Sequence, residues 1–168
     1  ATSLSANASQ EGVVAEQEAP IAIGHGQPER QLRKQSLDTA IQNAVRSIPE
    51  CVAAGVVDMK TGMLLGVRTV DSHPQEVLDL VAAATGDLFQ GTNVTMIEQM
   101  FKRTRGIAAD ERHYFQEIIV NSDNLIHVFQ RCKRNVDLVF VSVCRVSGNL
   151  GMILTKTRME LSKVEAAV

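Results

Sequence analysis

Neither sign of charge dominates this chain: 17 Lys and Arg stand against 19 Asp and Glu over 168 residues, a formal charge of -2. So close a balance gives no global electrostatic reason to bind nucleic acid or a charged membrane surface. Long apolar runs are missing too. Residues 1–24 place no basic residue before a long apolar stretch, so neither a signal peptide nor a membrane span is expected, and the chain reads as cytoplasmic, without direct membrane insertion. Cysteine is scarce and odd in number. Cys51, Cys132 and Cys144 each fall within an apolar strand pattern, as reduced thiols of a cytosolic protein do.

Catalytic patterns are absent as well. Gly24-His25-Gly26 lacks the Gly-Lys-Ser/Thr step and the preceding strand of a phosphate loop and reads as a bend. Ser36, Ser122 and Ser147 have no glycine-flanked elbow. Asp110-Glu111 lies in a loop beside arginines, and Asp58 is better placed to fix a hairpin turn than to act as a base. His127, Cys132 and Cys144 invite a metal reading. The predicted pairing of His127 with Cys144, and of Cys132 with Val139, leaves Cys132 about five strand residues from the other two. No catalytic, cofactor-binding or metal-ligating residue is assigned, and no cofactor is expected.

What the chain does have is apolar patterning, with 45% hydrophobic residues, enough for one cored domain and an extension. Residues 1–35 lie outside that domain and read as a flexible or loosely docked extension; residues 36–168 form the domain. Residues 137–146 carry Leu138, Val139, Phe140, Val141 and Val143, apolar on both faces, so they read as a buried central strand. Ser147-Gly148-Asn149 then supplies a turn and an N-cap for a last helix over about 149–164. A first helix begins between Pro28 and Ser36, presents Leu37, Ile41, Ala44, Val45 and Ile48, and stops at Pro49. Strands 51–58 and 63–69 flank a short turn with Gly62, a hairpin.

Pro74 starts a long helix that carries Val77, Leu80, Val81, Ala84, Leu88, Met96, Ile97, Met100 and Phe101 and runs to Arg103. Leu78, Phe89 and Val94 widen its apolar face beyond what one small sheet needs, which points to a second packing partner. The alternative is a break near Gly91 into two ordinary helices. Strands 113–121, 125–133 and 137–146 follow as a meander through Ser122-Asp123-Asn124 and Arg134-Asn135-Val136. The fold class is α+β: a five-stranded antiparallel sheet with helices on both faces, in the order α-β-β-α-β-β-β-α.

Ala54-Gly55-Val56-Val57-Asp58 with Gly62, Leu80 to Ala84 with Leu88, and Leu138 to Val143 running into Asn149-Leu150-Gly151 together resemble the roadblock/dynein light chain family, related in shape to profilin and longin domains. The resemblance spans about residues 37–164. It implies a homodimer, or a pairing with a relative, in which the long helices pack together and the strand after them, 113–121, joins two sheets into one. It also implies binding to a Ras-like small GTPase, as regulator or scaffold, or incorporation into a dynein-like or membrane-tethered signalling complex; with no catalytic residue in view, the leading expectation is a non-enzymatic interaction protein. The residues themselves support self-association through the surplus apolar helix surface and Ile118-Ile119-Val120 on an edge strand. The expected homodimer interface is Val77, Leu78, Val81, Leu88, Phe89, Ile118 and Val120. Lys102, Arg103 and Arg105, with Arg112, and then Arg131, Lys133 and Arg134 fall at one end of the sheet, as a basic rim for an acidic partner or as an ordinary solvated end. A profilin-like or PAS-like sensory module holding a small ligand is the alternative, and a roomy, polar-lined pocket would favour it.

Overall fold

The computed structural model describes residues 27–108 and 113–168. Its elements are α1 (Gln27–Ser47), β1 (Cys51–Asp58), β2 (Met63–Thr69), α2 (Gln75–Gln90), α3 (Thr92–Thr104), β3 (Glu117–Asn121), β4 (Leu125–Arg131), β5 (Leu138–Arg145) and α4 (Leu150–Ala166). The five strands form one antiparallel sheet in the order β2-β1-β5-β4-β3. β5 is central, and its alternation feeds both layers. Leu138, Phe140 and Cys144 join the core under α1 and α4, whereas Val139 and Val141 join the core under α2.

Local chemistry explains the boundaries. The Asp58 carboxylate accepts from Lys60 N and Thr61 Oγ1 at 2.9 and 3.0 Å, and Gly62 turns the chain at φ +69° while its amide donates to Asp58 O. Asn149 caps α4, its side chain accepting from Met152 N at 3.0 Å. Thr157 of α4 donates to Ile153 O at 2.8 Å, which leaves Ser142 of β5 to donate to Thr157 at 3.0 Å. That buried bond fixes how α4 sits on the central strand.

Several expectations are corrected. The long helix is two helices, because Gly91 is extended (φ -59°, ψ 153°) and its amide folds back to Asp87 O at 3.0 Å. A Cβ at that position would lie 2.6 Å from Asp87 O, so only glycine makes this approach. α1 starts at Gln27, one residue before the Pro28–Ser36 window expected for its start, and residues 27–36 are all exposed, with Leu37 the first buried side chain. β3 is shorter than expected, and His113 to Gln116 run outside it. The β4–β5 register is one residue off: Ile126 opposes Cys144 and His127 opposes Val143. The turn is longer than two residues, closed by Cys132 N to Leu138 O and Leu138 N to Asn135 O. A one-residue slip reverses the faces, so His127 lies on the α2 side of the sheet while Cys132 and Cys144 lie on the α4 side. Of the expected N-terminal extension, residues 1–26 lie outside the described residues, as do Asp110, Glu111 and Arg112.

Candidate functional site

α2 and α3 form the outer layer on one face of the sheet, and their surface is apolar to an unusual degree. α2 turns Leu78, Ala82, Thr85 and Phe89 toward the sheet, at helical spacing, with Ala82, Thr85 and Phe89 buried. The small side chains of Ala82 and Thr85 let the helix lie close, and Phe89 anchors its last turn. The richer stripe faces outward: Val77, Leu80 and Val81 are exposed, Leu80 by 70%, and only Leu88 is drawn partly into the core. α3 continues the pattern, with Met96, Ile97, Met100 and Phe101 exposed, Met100 by 63%.

The neighbouring sheet edge is β3. Ile118 packs partly against the α2-side core, whereas Ile119 and Val120 are exposed. Glu98, the one buried residue of α3, ties this edge to the helix layer. Its Oε1 accepts from Tyr114 N and Phe115 N, each at 3.1 Å, and its Oε2 lies 3.5 Å from His113 Nδ1. Tyr114 stacks on Phe101 with centroids 5.2 Å apart, and the Arg105 guanidinium lies 5.9 Å from the same ring.

Of the expected interface residues, Val77 and Val81 are on the outward stripe, Leu78, Leu88 and Ile118 are half-buried beneath it, and Val120 is on the open edge. Phe89 is corrected out of the set. It is 0% exposed, because it belongs to the core-facing stripe one residue out of phase with the apolar run that dominates the sequence.

The basic rim also loses a member. Arg131 is 2% exposed, in phase with Phe129 on the α2 side of β4. Its Nε donates to Phe115 O at 3.2 Å, one terminal nitrogen to Val136 O at 2.8 Å and the other to Phe89 O at 3.4 Å, with the Phe89 ring 5.0 Å beneath. Burial holds its pKa below the ordinary arginine value, while Glu98 and Asp137 act through space in the opposite sense. Arg131 is a strut between α2, the approach to β3 and the β4–β5 turn. Arg103 and Arg105 are exposed at the end of α3, with Lys102 half-buried. Lys133 and Arg134 are exposed side chains whose backbone amides both donate to Glu165 Oε1, which ties their turn to α4 on the opposite layer.

Glu98 carried little signal in the sequence beyond its helical phase with Val94 and Phe101. Arg131 was legible only from strand alternation.

Between the first half of α2 and the sheet lies an apolar cavity of about 250 Å³, walled by residues such as Val57, Val67, Leu78 and Val141. Its polar side chains are Thr69, His73 and His127, and His127 Nδ1 sits 3.3 Å from Val120 O. Among the described residues there is no group of three His, Cys, Asp or Glu able to hold a metal, and no helix long and apolar enough to cross a membrane.

No known family model matches the chain, nor does any curated protein. Solved structures do. A roadblock/LC7 domain from Streptomyces avermitilis superposes with a TM-score of 0.55 at 12% identity, over 77% of this chain and 94% of that one. The gliding protein MglB of Thermus thermophilus gives 0.60 at 14%, over 80% and 90%. An MglB in a tetrameric arrangement gives 0.58 at 15%, over 81% and 93%. Identity this low carries the architecture alone, and on that measure the chain has the roadblock fold.

Proposed function

We propose that this chain is a non-enzymatic, homodimeric interaction module of the cytoplasm that binds a Ras-like small GTPase and regulates or scaffolds it. The observation that supports it is the outward apolar surface of α2 and α3 beside the open β3 edge, on a roadblock fold. Exposed side chains such as Leu80, Met96 and Met100 cost a monomer solubility, and an unpaired edge strand invites pairing. A twofold dimer that packs α2–α3 layers together and joins β3 to β3 shields both at once. One solved MglB of this fold has a tetrameric arrangement, which supports self-association here.

Arg103 and Arg105, beside Lys102, give the dimer a cationic patch suited to an acidic partner surface. Regulation of turnover would act by positioning the GTPase's own groups. The sensory alternative draws less support, because the cavity under α2 is walled almost wholly by apolar side chains.

The test is binding. The full chain, mixed with small GTPases of its own cell loaded with GDP or a non-hydrolysable GTP analogue, should co-elute with one in a nucleotide-dependent way and lose affinity on Arg103→Glu and Arg105→Glu. GTPases that neither co-elute nor change turnover in either state would remove the GTPase reading and leave the fold untouched.

A further inference from the structure

Cys51 opens β1, Cys144 lies near the end of β5, and the two are direct cross-strand partners. One step outward, Arg145 N donates to Glu50 O at 2.9 Å. The ladder slips by one residue between Cys51 and Ala53, and directly opposed antiparallel Cα atoms lie about 4.5–5.5 Å apart whichever bonding pattern the pair has. That spacing falls within the roughly 4.4–6.8 Å that a disulfide spans. Both side chains point into the core under α1 and α4, and Cys51 Sγ donates to Ala53 O at 3.2 Å. Cys51 retains an edge toward solvent, at 8% exposure, and Cys144 has none. Cys132 stands apart beside Leu138, six residues along β5 from Cys144 and so roughly 20 Å away along the strand.

We propose that Cys51 and Cys144 form an oxidisable dithiol, which a hydroperoxide converts to a cross-strand disulfide. The Cys51 thiolate attacks one peroxide oxygen, the O–O bond breaks, and the departing hydroxide takes up a proton to leave as water. Cys51 is then a sulfenic acid, its sulfur oxidised by two electrons. The Cys144 sulfur attacks it, the S–O bond breaks, and the hydroxyl leaves as water with the Cys144 proton. Two thiols and one hydrogen peroxide thus give one disulfide and two waters. The order of events follows access and local chemistry: Cys51 keeps an edge toward solvent and Cys144 has none, and the neighbouring Cys144 side chain holds the Cys51 pKa below its ordinary value against the opposing effect of burial. Cys132 is pushed up to about 12, chiefly by burial, and stays a thiol.

The bridge closes a loop of roughly 90 residues, so the oxidised form should melt higher, by roughly 10 °C if the loop-entropy term is fully realised, and dithiothreitol should reverse the shift. The full chain is treated with hydrogen peroxide, denatured, alkylated with N-ethylmaleimide and weighed intact. One adduct per chain is expected, on Cys132, with a non-reducing peptide map joining Cys51 to Cys144. Cys51→Ser should give two adducts. Cys132→Ser keeps the pair intact and should give none, so the result does not hang on a variant in the pair. Three adducts after peroxide, a bridge through Cys132, or a sulfinic acid at Cys51 with Cys144 still alkylated would each overturn the proposal.

Discussion

Replacing Arg131 with methionine should destabilise the protein by about 2–3 kcal/mol, with lysine costing less, about 1–2 kcal/mol, and alanine more, about 4 kcal/mol. The guanidinium serves carbonyls from three separate segments, Phe115, Val136 and Phe89, at 3.2, 2.8 and 3.4 Å. Methionine preserves the volume over the Phe89 ring but leaves these acceptors without a donor. The long bond to Phe89 O contributes least. The other two are charge-assisted, worth about 1.5–3 kcal/mol each before the cost of keeping the guanidinium away from water is offset. Lysine retains a charge and three donors but not the planar fork that reaches three directions. Alanine adds a cavity. Guanidinium chloride unfolding at one fixed chain concentration measures the series, since self-association couples to stability. Tyr114 is the single tyrosine of a chain without tryptophan, and it adjoins Phe115, so its emission reports the approach to β3 directly. In Arg131→Met its transition should precede the far-UV circular dichroism transition. A methionine variant as stable as the parent, or more so, would mean that desolvation of the guanidinium outweighs its three bonds and would refute the strut.

Glu98→Ala strips the acceptor from two backbone amides and should cost about 2–3 kcal/mol, while Glu98→Gln keeps one oxygen and should cost under about 1 kcal/mol; hydrogen exchange at the Tyr114 and Phe115 amides, faster in alanine than glutamine, checks the ordering. Arg158 lies 2.6 Å from Glu117, and its bond to that carboxylate is the first cause of a lowered Glu117 pKa. A depressed folded-state pKa adds stability above the unfolded value and loses it as pH falls through the folded one. Arg158→Gln should therefore cost under about 1 kcal/mol at pH 7, and the gap from the parent should close below about pH 4. A gap that stays constant from pH 7 to pH 3 would place the effect elsewhere than in this pair. Gly91→Ala sets a Cβ against Asp87 O at 2.6 Å and should lower stability by about 1–2 kcal/mol; higher helicity and a raised melting temperature would show instead that α2 and α3 fuse.

The sheet was legible because its cues are local. β5 announces itself through apolar residues on both faces, the hairpin through Asp58 and Gly62, and α4 through Asn149. These decisions are made within a few residues, and no tertiary contact overrules them. The outer layer was harder because helical phase alone does not say which of two apolar stripes meets the sheet. On α2 the bulkier stripe through Leu80 and Val81 is the exposed one, and the smaller Ala82 and Thr85 take the inside, where close approach rewards small size. Register carried the same ambiguity. The extra turn residue between β4 and β5 cannot be counted from sequence, and it puts His127 and Cys144, expected as partners on one face, on opposite faces of the sheet. Arg131 was misplaced by a habit of charge: a basic residue at a strand end reads as surface unless its phase with Phe129 is weighed first. The juxtaposition of Cys51 with Cys144 required the pairing of two strands that lie far apart in the chain.

Dimerisation through the α2–α3 layer and the β3 edge is the central claim, and the mass of the full chain in solution tests it most directly. Light scattering across a range of concentrations should give twice the 18.3 kDa of one chain. Leu80→Asp and Met100→Asp, on side chains that touch little in the monomer, should return it to one chain mass with the fold and its circular dichroism intact. A parent chain that remains at 18.3 kDa at high concentration, or a dimer that ignores both substitutions, would contradict the account.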